Sequence, residues 1–453
     1  MIVTAVGGGI WLFKGSGSSS GVPNISPDLL QAQTGPQITV NEDVLDALDE
    51  QATQQLITTT SNQGWVGFRG PFRTGVVPDQ KLNADWSTNP PVELWRKPSG
   101  EGWSSVAISG NRIFGHEQRG PDETVFCLDR ATGKEIWSHG NKARMPDGEN
   151  GVGPRATPTT DGKTVVTVGA TGIVNALNAE NGDVIWTVNI AEKLGGVVPR
   201  EGVCSSPLLT DDGVVVFVPR CKNGGVCSLN LETGDLNWQS GKGLMSNSSP
   251  IMAEFAGQSQ LLFASDVGVE SFDPNTGQEL WTYLSDSDNS ARYLEPCVLS
   301  DNSFLLLTGL DLGFERVVVT KSESNWTTKQ AWHSNDFQCY LHGVFIHDGF
   351  LYSVEDRINV GVELKTGIQK WKGGRSGGQS LLFPSSGHIL TLSKSGDLVV
   401  QTVDSQRFVE AAKFPAIEGK CLGHPAYFDG HLVVRNENEI ACFKLNVVPK
   451  PND

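Results

Sequence analysis

A Trp-marked segment that recurs five times without gaps constrains this chain more than any other feature of its sequence. The copies are residues 127–137, 176–186, 228–238, 271–281 and 361–371. Each has a short apolar run, a turn that contains Gly, and a second run that ends in Trp. Gly permits a positive φ at the turn, so each copy predicts two antiparallel strands. A further strand–turn–strand pattern precedes each copy, most clearly in residues 157–168. Four strands per repeat predict one blade of a β-propeller.

The spacing of the tryptophans predicts the number of blades. The repeat tryptophans lie 39 to 52 residues apart and are Trp95, Trp137, Trp186, Trp238, Trp281, Trp332 and Trp371. A similar interval then reaches Phe414, a degenerate copy. The last three strands have no Trp strand after them, and residues 92–96 supply the missing one. We predict an all-β fold, a single eight-bladed β-propeller of four-stranded antiparallel blades, closed by N- and C-terminal strands. Seven blades is the alternative if the weak repeat around Trp332 is not a blade.

The repeat tryptophans are predicted to be structural. A large ring on an outer strand can fill the space between neighbouring blades and bury roughly 150–250 Å² of surface.

The N-terminal region differs in composition from the repeats. Residues 1–14 are apolar and uncharged as far as Lys14, too short to span a bilayer and without a basic leader region. We interpret them as the remnant of a membrane anchor or signal; the alternative is a disordered apolar tail. Residues 15–63 are predicted to be a linker with one short amphipathic helix within residues 41–56, which Asn41 would cap. The propeller would occupy residues 64–446 and a tail residues 447–453.

The charge of the chain excludes some classes of partner. Lys and Arg number 35 against 51 Asp and Glu, a formal net charge of −16. Nucleic acids and anionic membrane surfaces require a dense basic footprint, so neither is an expected partner. We expect a monomer.

Polar and aromatic side chains recur where the innermost strands are predicted to begin, at the central channel. The candidate residues of this channel mouth are Glu101, Trp103, His116, Glu117, Arg119, Arg155, Arg200, Asn247, Arg292, Glu295, His342 and His424. They are predicted to converge on one mouth that binds a small ligand or a peptide segment. The alternative is that they hydrogen-bond neighbouring blades and channel waters. No catalytic residue is predicted. No metal site is predicted either, because His116 and Glu117 lack further ligands at coordination spacing.

Two other features have both a structural and a functional interpretation. Cys204, Cys221 and Cys227 lie in hairpins that would bring two of them together, so either one disulfide forms or all three remain thiols. The Gly-rich residues 373–378 lack the Gly-Lys-Ser/Thr ending of a phosphate-binding loop and are predicted to connect two blades.

The repeat resembles the LDxxTGxxxW-type signature of the pyrroloquinoline quinone (PQQ)-like propellers. That superfamily includes quinoprotein alcohol dehydrogenases and the propeller lipoprotein that assists outer-membrane barrel assembly. The resemblance covers residues 64–445. Residues 64–75 (GWVGFRGPFRTG) are similar to the leader of a planctomycete branch of PQQ-binding-like propeller proteins, as are residues 118–120 and 153–158. The resemblance implies the fold, but it says little about function, because one fold hosts many functions.

Two functions follow as hypotheses. The first is a non-catalytic binding or scaffold module in the cell envelope, periplasmic or membrane-anchored, for a protein or small ligand. It would need no cofactor. The second is a PQQ- and Ca²⁺-dependent alcohol dehydrogenase. The resemblance implies that such an enzyme would have a Glu/Asn/Asp calcium site and often adjacent cysteines, and the sequence offers no Cys-Cys pair and no such set of ligands that can be assigned.

Overall fold

The computed structural model describes residues 38–45, 48–57, 64–145, 151–285, 294–309, 313–323, 325–339, 342–355 and 357–448. The predicted anchor (1–14), the first part of the predicted linker (15–37) and the end of the tail (449–453) lie outside these residues, as does Arg292.

Eight sheets of antiparallel strands form the propeller, numbered here as blades 1 to 8 in chain order. Blade 1 has Gly64–Trp65, Ala107–Ser109, Arg112–Arg119, Asp122–Asp129 and Glu135–Lys142. Blade 2 has Thr159–Thr160, Thr164–Val168, Ile173–Asn178 and Val184–Asn189. Blade 3 has Leu208–Leu209, Gly213–Phe217, Val226–Asn230 and Leu236–Ser240. Blade 4 has Ile251–Phe255, Gln258–Ser265, Gly268–Phe272 and Glu279–Leu284.

The second half of the ring continues the pattern. Blade 5 has Cys297–Val298, Ser303–Gly309, Gly313–Ser322 and Asn325–Ser334, with Ile38–Val40 added at its outer edge. Blade 6 has Phe345–His347, Phe350–Glu355, Ile358–Glu363 and Gln369–Gly373. Blade 7 has Gly378–Phe383, His388–Ser393, Asp397–Thr402 and Val409–Pro415. Blade 8 has Ala426–Phe428, His431–Arg435, Glu439–Lys444 and, as its outer strand, Val92–Pro98.

The ring closes as the sequence predicts. Val92–Pro98 pairs antiparallel with Glu439–Lys444, and Trp95 lies opposite Cys442. The repeat around Trp332 is a blade, so the eight-bladed prediction is confirmed and the seven-bladed alternative is wrong. The Gly-rich connection lies between blades 6 and 7. Short elements complete the described chain: helices Glu42–Leu45 and Ile190–Leu194, the 3₁₀ turn Pro384–Ser386, and a two-stranded sheet of Lys81–Leu82 with Val447–Val448.

The repeat motif works across blades. The ring of Trp95 in blade 8 lies so close to Gly133 in the turn of blade 1 that a Cβ at Gly133 would lie 2.6 Å from it. Trp95 Nε1 donates a hydrogen bond to the Arg130 carbonyl of the same turn at 2.8 Å. Trp137, Trp186, Trp238 and Trp332 contact the turn glycine and a carbonyl of the following blade in the same way. The turn position therefore requires Gly for two reasons: its φ is positive, and a Cβ there would collide with the Trp ring of the preceding blade.

Three positions depart from this pattern. Trp371 donates to the Asp404 carbonyl at 3.0 Å, but the turn of blade 7 has no glycine. Trp281 donates to Gln260 Oε1 within its own blade and stacks on Phe304 of blade 5, with ring centroids 5.9 Å apart. Phe414, which has no donor, packs edge-on against Phe443 of blade 8 at 5.8 Å. At Trp281 and Phe414, aromatic packing between blades therefore replaces the Trp–Gly contact, and at Trp371 only the hydrogen bond to the next blade remains.

The helix predicted within residues 41–56 is much shorter. Of the described residues in this range, Glu42–Leu45 are helical, and Ile38–Val40 before them is a strand. After residue 48 the chain runs along blade 5, where Gln55 N donates to the Val298 carbonyl at 2.9 Å. Val44, Leu48 and Ala52 are buried. Pairing with blade 5 satisfies the backbone groups that a longer helix would have satisfied internally, so tertiary contacts override the helical pattern. No described helix is long and apolar enough to cross a membrane.

Candidate functional site

Residues 64–77, called the leader here, lie across the central channel. At one end Trp65 pairs with Ile108 in the first strand of blade 1. The Val66 carbonyl accepts a hydrogen bond from Thr160 N of blade 2 at 2.9 Å. At the other end the Gly75 carbonyl accepts from Leu382 N of blade 7 at 2.9 Å. The leader thus joins blades 1 and 2 to blade 7.

The leader side chains reach further blades. Arg73 donates to the carbonyls of Pro207 and Ser206, just before the first strand of blade 3, at 2.8 and 3.1 Å. The Phe68 ring lies edge-on to His424, which precedes blade 8, with centroids 5.1 Å apart. Arg69 lies 5.6 Å from the centroid of the Phe345 ring in blade 6. The leader therefore closes part of the channel and forms the base of the cavity above it.

A cavity of about 480 Å³ occupies the channel mouth. It is within the usual range for small-ligand sites, roughly 300–1,000 Å³. Its lining comes from the leader, from segments that precede the first strands of blades 1, 2, 3, 4 and 8, and from the first strand of blade 7. The lining residues are Phe68, Trp103, Ser105, Arg155, Thr157, Glu201, Cys204, Asn247, Gln379, Lys420, Leu422 and His424. Side chains more than 300 residues apart in sequence therefore converge on one site.

Two cations lie against the Trp103 ring in this cavity. The Arg155 guanidinium carbon is 5.6 Å from the ring centroid, and the Lys420 ammonium is 5.1 Å from it. Trp103 Nε1 donates a hydrogen bond to Glu437 Oε1 at 3.3 Å, and this bond helps to orient the ring. Arg155 donates to the carbonyls of Gly153 and Gly151. An aromatic ring attracts cations to its face, so this cluster holds two positive charges beside an apolar surface.

Carboxylates balance these charges. Glu201 lines the cavity. Burial lowers the pKa of Arg155, while Glu123, Glu201 and Glu437 oppose that shift. Burial raises the pKa of Glu123 to about 7, although it accepts a hydrogen bond from Ala170 N at 3.0 Å. The mouth therefore suits a ligand with an apolar body and polar or charged groups of either sign.

Four of the predicted mouth residues line the cavity, namely Trp103, Arg155, Asn247 and His424. His424 is neutral at physiological pH, because burial and the nearby Arg69 hold its pKa well below the ordinary value. Arg200 and Glu101 are exposed and outside the cavity lining, and Glu101 pairs with Arg144 at 3.5 Å. His342 is buried, and its Nδ1 lies 2.8 Å from the Gly378 carbonyl. Glu295 lies below the mouth, against the leader.

The charged group of His116, Glu117 and Arg119 belongs to the junction of blades 8 and 1. Glu117 is buried, pairs with Arg119 at 2.6 Å and lies 3.9 Å from the buried Arg435 of blade 8. Arg435 also donates to the His116 carbonyl at 2.9 Å. Burial lowers the pKa of His116 to about 3. These contacts match the alternative interpretation, in which polar groups hydrogen-bond neighbouring blades.

Phe68, Ser105, Cys204, Lys420 and Leu422 are among the lining residues that were not predicted. Phe68 belongs to the leader, whose sequence indicated a family branch but not a position in the channel. Lys420 and Leu422 precede His424 in the same connection, so their proximity to it was the available signal.

All eight cysteines are free thiols, so the disulfide alternative for Cys204, Cys221 and Cys227 is not realised. Cys204 faces the mouth cavity, whereas Cys221 Sγ is directed to the Leu194 carbonyl at 3.0 Å. Cys227 is buried within blade 3.

The mouth does not fit a calcium-held quinone. Among the described residues of its lining, Glu201 is the one carboxylate and Cys204 the one cysteine, so they supply no adjacent cysteines. Within the described part of the chain, no three His, Cys, Asp or Glu side chains are placed to hold a metal ion.

Comparison with known proteins places this architecture among similar propellers. The family described as "Outer membrane protein assembly factor BamB" matches residues 121–373. No curated protein matches the sequence. BamB from Moraxella catarrhalis is similar in structure, with a TM-score of 0.56 and 13% identity over 78% of this chain and 98% of that one. A quinohemoprotein alcohol dehydrogenase from Comamonas testosteroni has a TM-score of 0.59 and 12% identity over 87% of this chain and 82% of that one. At such identities these structures show the fold alone.

Proposed function

Since the chain belongs to the family of the outer membrane protein assembly factor BamB, we propose that it is a non-catalytic binding module whose mouth cavity takes up a partner. The partner is a segment of a protein or a small ligand. The protein acts as a monomer in the cell envelope, outside the cytoplasm, with residues 1–14 as part of a membrane anchor or signal.

The observation that carries this proposal is the composition of the mouth. Trp103, with Arg155 and Lys420 against its ring, offers an apolar surface beside two cations. Glu201 and Asn247 add hydrogen-bond acceptors and a donor in the same cavity. Such a combination of an aromatic surface and a few placed polar groups is typical of ligand sites. The same residues supply neither a nucleophile beside a base nor a set of metal ligands, which a catalytic site of these classes would need.

Site-directed cross-linking tests the proposal. A photoreactive phenylalanine derivative replaces Leu422 in the mouth or, as the control, Leu284, which is 71% exposed on the outer strand of blade 4. The full chain is irradiated in the cell envelope of its own organism. We expect one discrete cross-linked product from position 422 and none of that mass from position 284. Equal products from both positions would contradict a mouth-centred function.

The dehydrogenase hypothesis is separated by a second measurement. The purified chain is incubated with PQQ and Ca²⁺ and assayed for quinone absorbance, for a shift in melting temperature and for dye-linked alcohol oxidation. The proposal predicts no turnover. Stoichiometric quinone binding with alcohol oxidation would replace it by an enzymatic function.

A further inference from the structure

The leader places two arginines in the interior of the ring. Arg69 and Arg73 are 6% and 4% exposed. The acid paired with them is Glu295, which precedes the first strand of blade 5 and lies 3.9 Å from Arg69, a loose contact for an ion pair. Glu295 Oε1 also accepts a hydrogen bond from Ser249 N at 2.9 Å. Among the described residues, no other acid forms an ion pair with either arginine.

Positive charge is therefore in excess at this place in either protonation state of Glu295. With Glu295 ionised, two guanidinium groups face one carboxylate; with Glu295 protonated, they face none. Burial lowers the pKa of Arg73 only to about 10, so Arg73 remains charged at neutral pH. A buried net charge costs several kcal/mol unless a counter-charge compensates it.

A third buried arginine shows how the fold satisfies such a group elsewhere. Arg316 pairs with Asp301 at 2.6 Å, and its Nε donates to Ser303 Oγ at 3.1 Å. Its Nη1 donates to the Leu364 carbonyl at 2.9 Å. By contrast, Nε of both Arg69 and Arg73 is buried without a protein acceptor. Two charged donors therefore remain unsatisfied in the leader.

Both arginines line a small cavity. Its volume is about 30 Å³, and Phe72, Thr74 and Glu295 are also among its lining residues. A cavity needs roughly 10–15 Å³ of such space to hold one water molecule, so this one has room for a single small ion.

We infer that this cavity is a binding site for a small monovalent anion of the halide class, held by Arg69 and Arg73. The anion supplies the missing counter-charge and accepts from the unsatisfied guanidinium donors. It thereby stabilises the leader, and with it the base of the mouth cavity. The site is distinct from the mouth and does not depend on what the mouth binds.

The test measures thermal stability of the full chain as chloride replaces gluconate at constant ionic strength. We expect the melting temperature to rise saturably by about 1–4 °C up to 150 mM chloride or bromide. Gluconate is too large to enter. A melting temperature that is independent of the anion would overturn the inference.

Variants separate anion binding from general stability. Arg73→Met should abolish the response to chloride. Arg316→Met is the matched control, since it also removes a buried arginine but should keep the response at a lower melting temperature. Glu295→Gln should keep the response, with an equal or lower half-saturating concentration, because it removes a competing negative charge. Loss of the response in Glu295→Gln would contradict the inference.

Soaking a crystal of the parent chain in bromide tests the inference without any variant. The inference predicts an anomalous scattering peak between Arg69 and Arg73. Density for water alone at that place, without anomalous signal, would overturn it.

Discussion

The two cavities of the channel differ in almost every respect, although neighbouring leader residues line them. Phe68 faces the mouth cavity of about 480 Å³, and Arg69 faces the smaller cavity of about 30 Å³. The mouth has cations beside an aromatic ring and a carboxylate in its lining, whereas the smaller cavity has two arginines and one acid, 3.9 Å from Arg69. The difference indicates that one short segment has two roles. It contacts several blades on one side and lines the mouth cavity on the other.

The largest expected change in stability comes from a substitution at the smaller cavity. Arg73→Met removes two hydrogen bonds to blade 3 and leaves their carbonyl acceptors buried. We expect a loss of about 3–5 kcal/mol in the free energy of unfolding, because a buried hydrogen bond to a charged group contributes about 1.5–3 kcal/mol. Urea unfolding measures it, with Arg144→Met, a partly exposed arginine, as the control. A loss below about 1 kcal/mol would mean that the leader does not stabilise the ring.

Replacing Glu123, a buried acid behind the mouth, should stabilise the protein rather than destabilise it. Because burial raises the pKa of Glu123 to about 7, the folded state holds a proton that the unfolded state has lost between pH 4.5 and 7. Stability should therefore fall as the pH rises through this window. Glu123→Gln should be more stable than the parent chain by about 1–3 kcal/mol at pH 8.

The difference in stability between Glu123→Gln and the parent should disappear at about pH 4 and below, where the Glu123 carboxyl is protonated in the folded and the unfolded state alike. Unfolding by urea at a series of pH values checks this. A difference that does not change with pH would show that Glu123 keeps an ordinary pKa.

Phe68→Ala tests the border between the two cavities. The ring is only half-buried, so we expect a loss of about 1–2 kcal/mol, less than for a fully buried Phe. The substitution also opens the base of the mouth and should change the yield of the cross-link at position 422. An unchanged yield would place the ligand away from the leader.

The smallest effect on stability is expected at the mouth itself. Lys420 is exposed, and Lys420→Met should change the free energy of unfolding by less than about 0.5 kcal/mol. It should still reduce the cross-link at position 422, since it removes one of the cations at Trp103. A reduction in stability without a change in cross-linking would reverse the proposed division of roles.

The sequence predicted the fold well because the repeat motif encodes a local contact. The turn glycine and Trp of each copy bind neighbouring blades, and their regular spacing gave both the number of blades and the closing strand. The helix that begins after Asn41 is shorter than predicted among the described residues, because the residues that follow contact blade 5, over 240 residues away.

The mouth was harder to predict, because its residues are also far apart in sequence. Trp103 and His424 lie in different connections, and only the closed ring brings them together. Sequence alone could not distinguish Glu117, which faces a buried arginine of the adjoining blade, from Glu201, which faces the cavity. Nor could it show that the leader enters the channel.

The most direct measurement of the central claim is the yield of the Leu422 cross-link in the Trp103→Ala background. Trp326→Ala is the matched control, because Trp326 also lies against a cation, Lys321 at 4.9 Å, but on the outer strand of blade 5. If the mouth is the binding site, Trp103→Ala removes most of the cross-link and leaves the free energy of unfolding within about 1 kcal/mol of the parent, while Trp326→Ala leaves the cross-link intact. An undiminished cross-link in folded Trp103→Ala would contradict a binding function of the mouth.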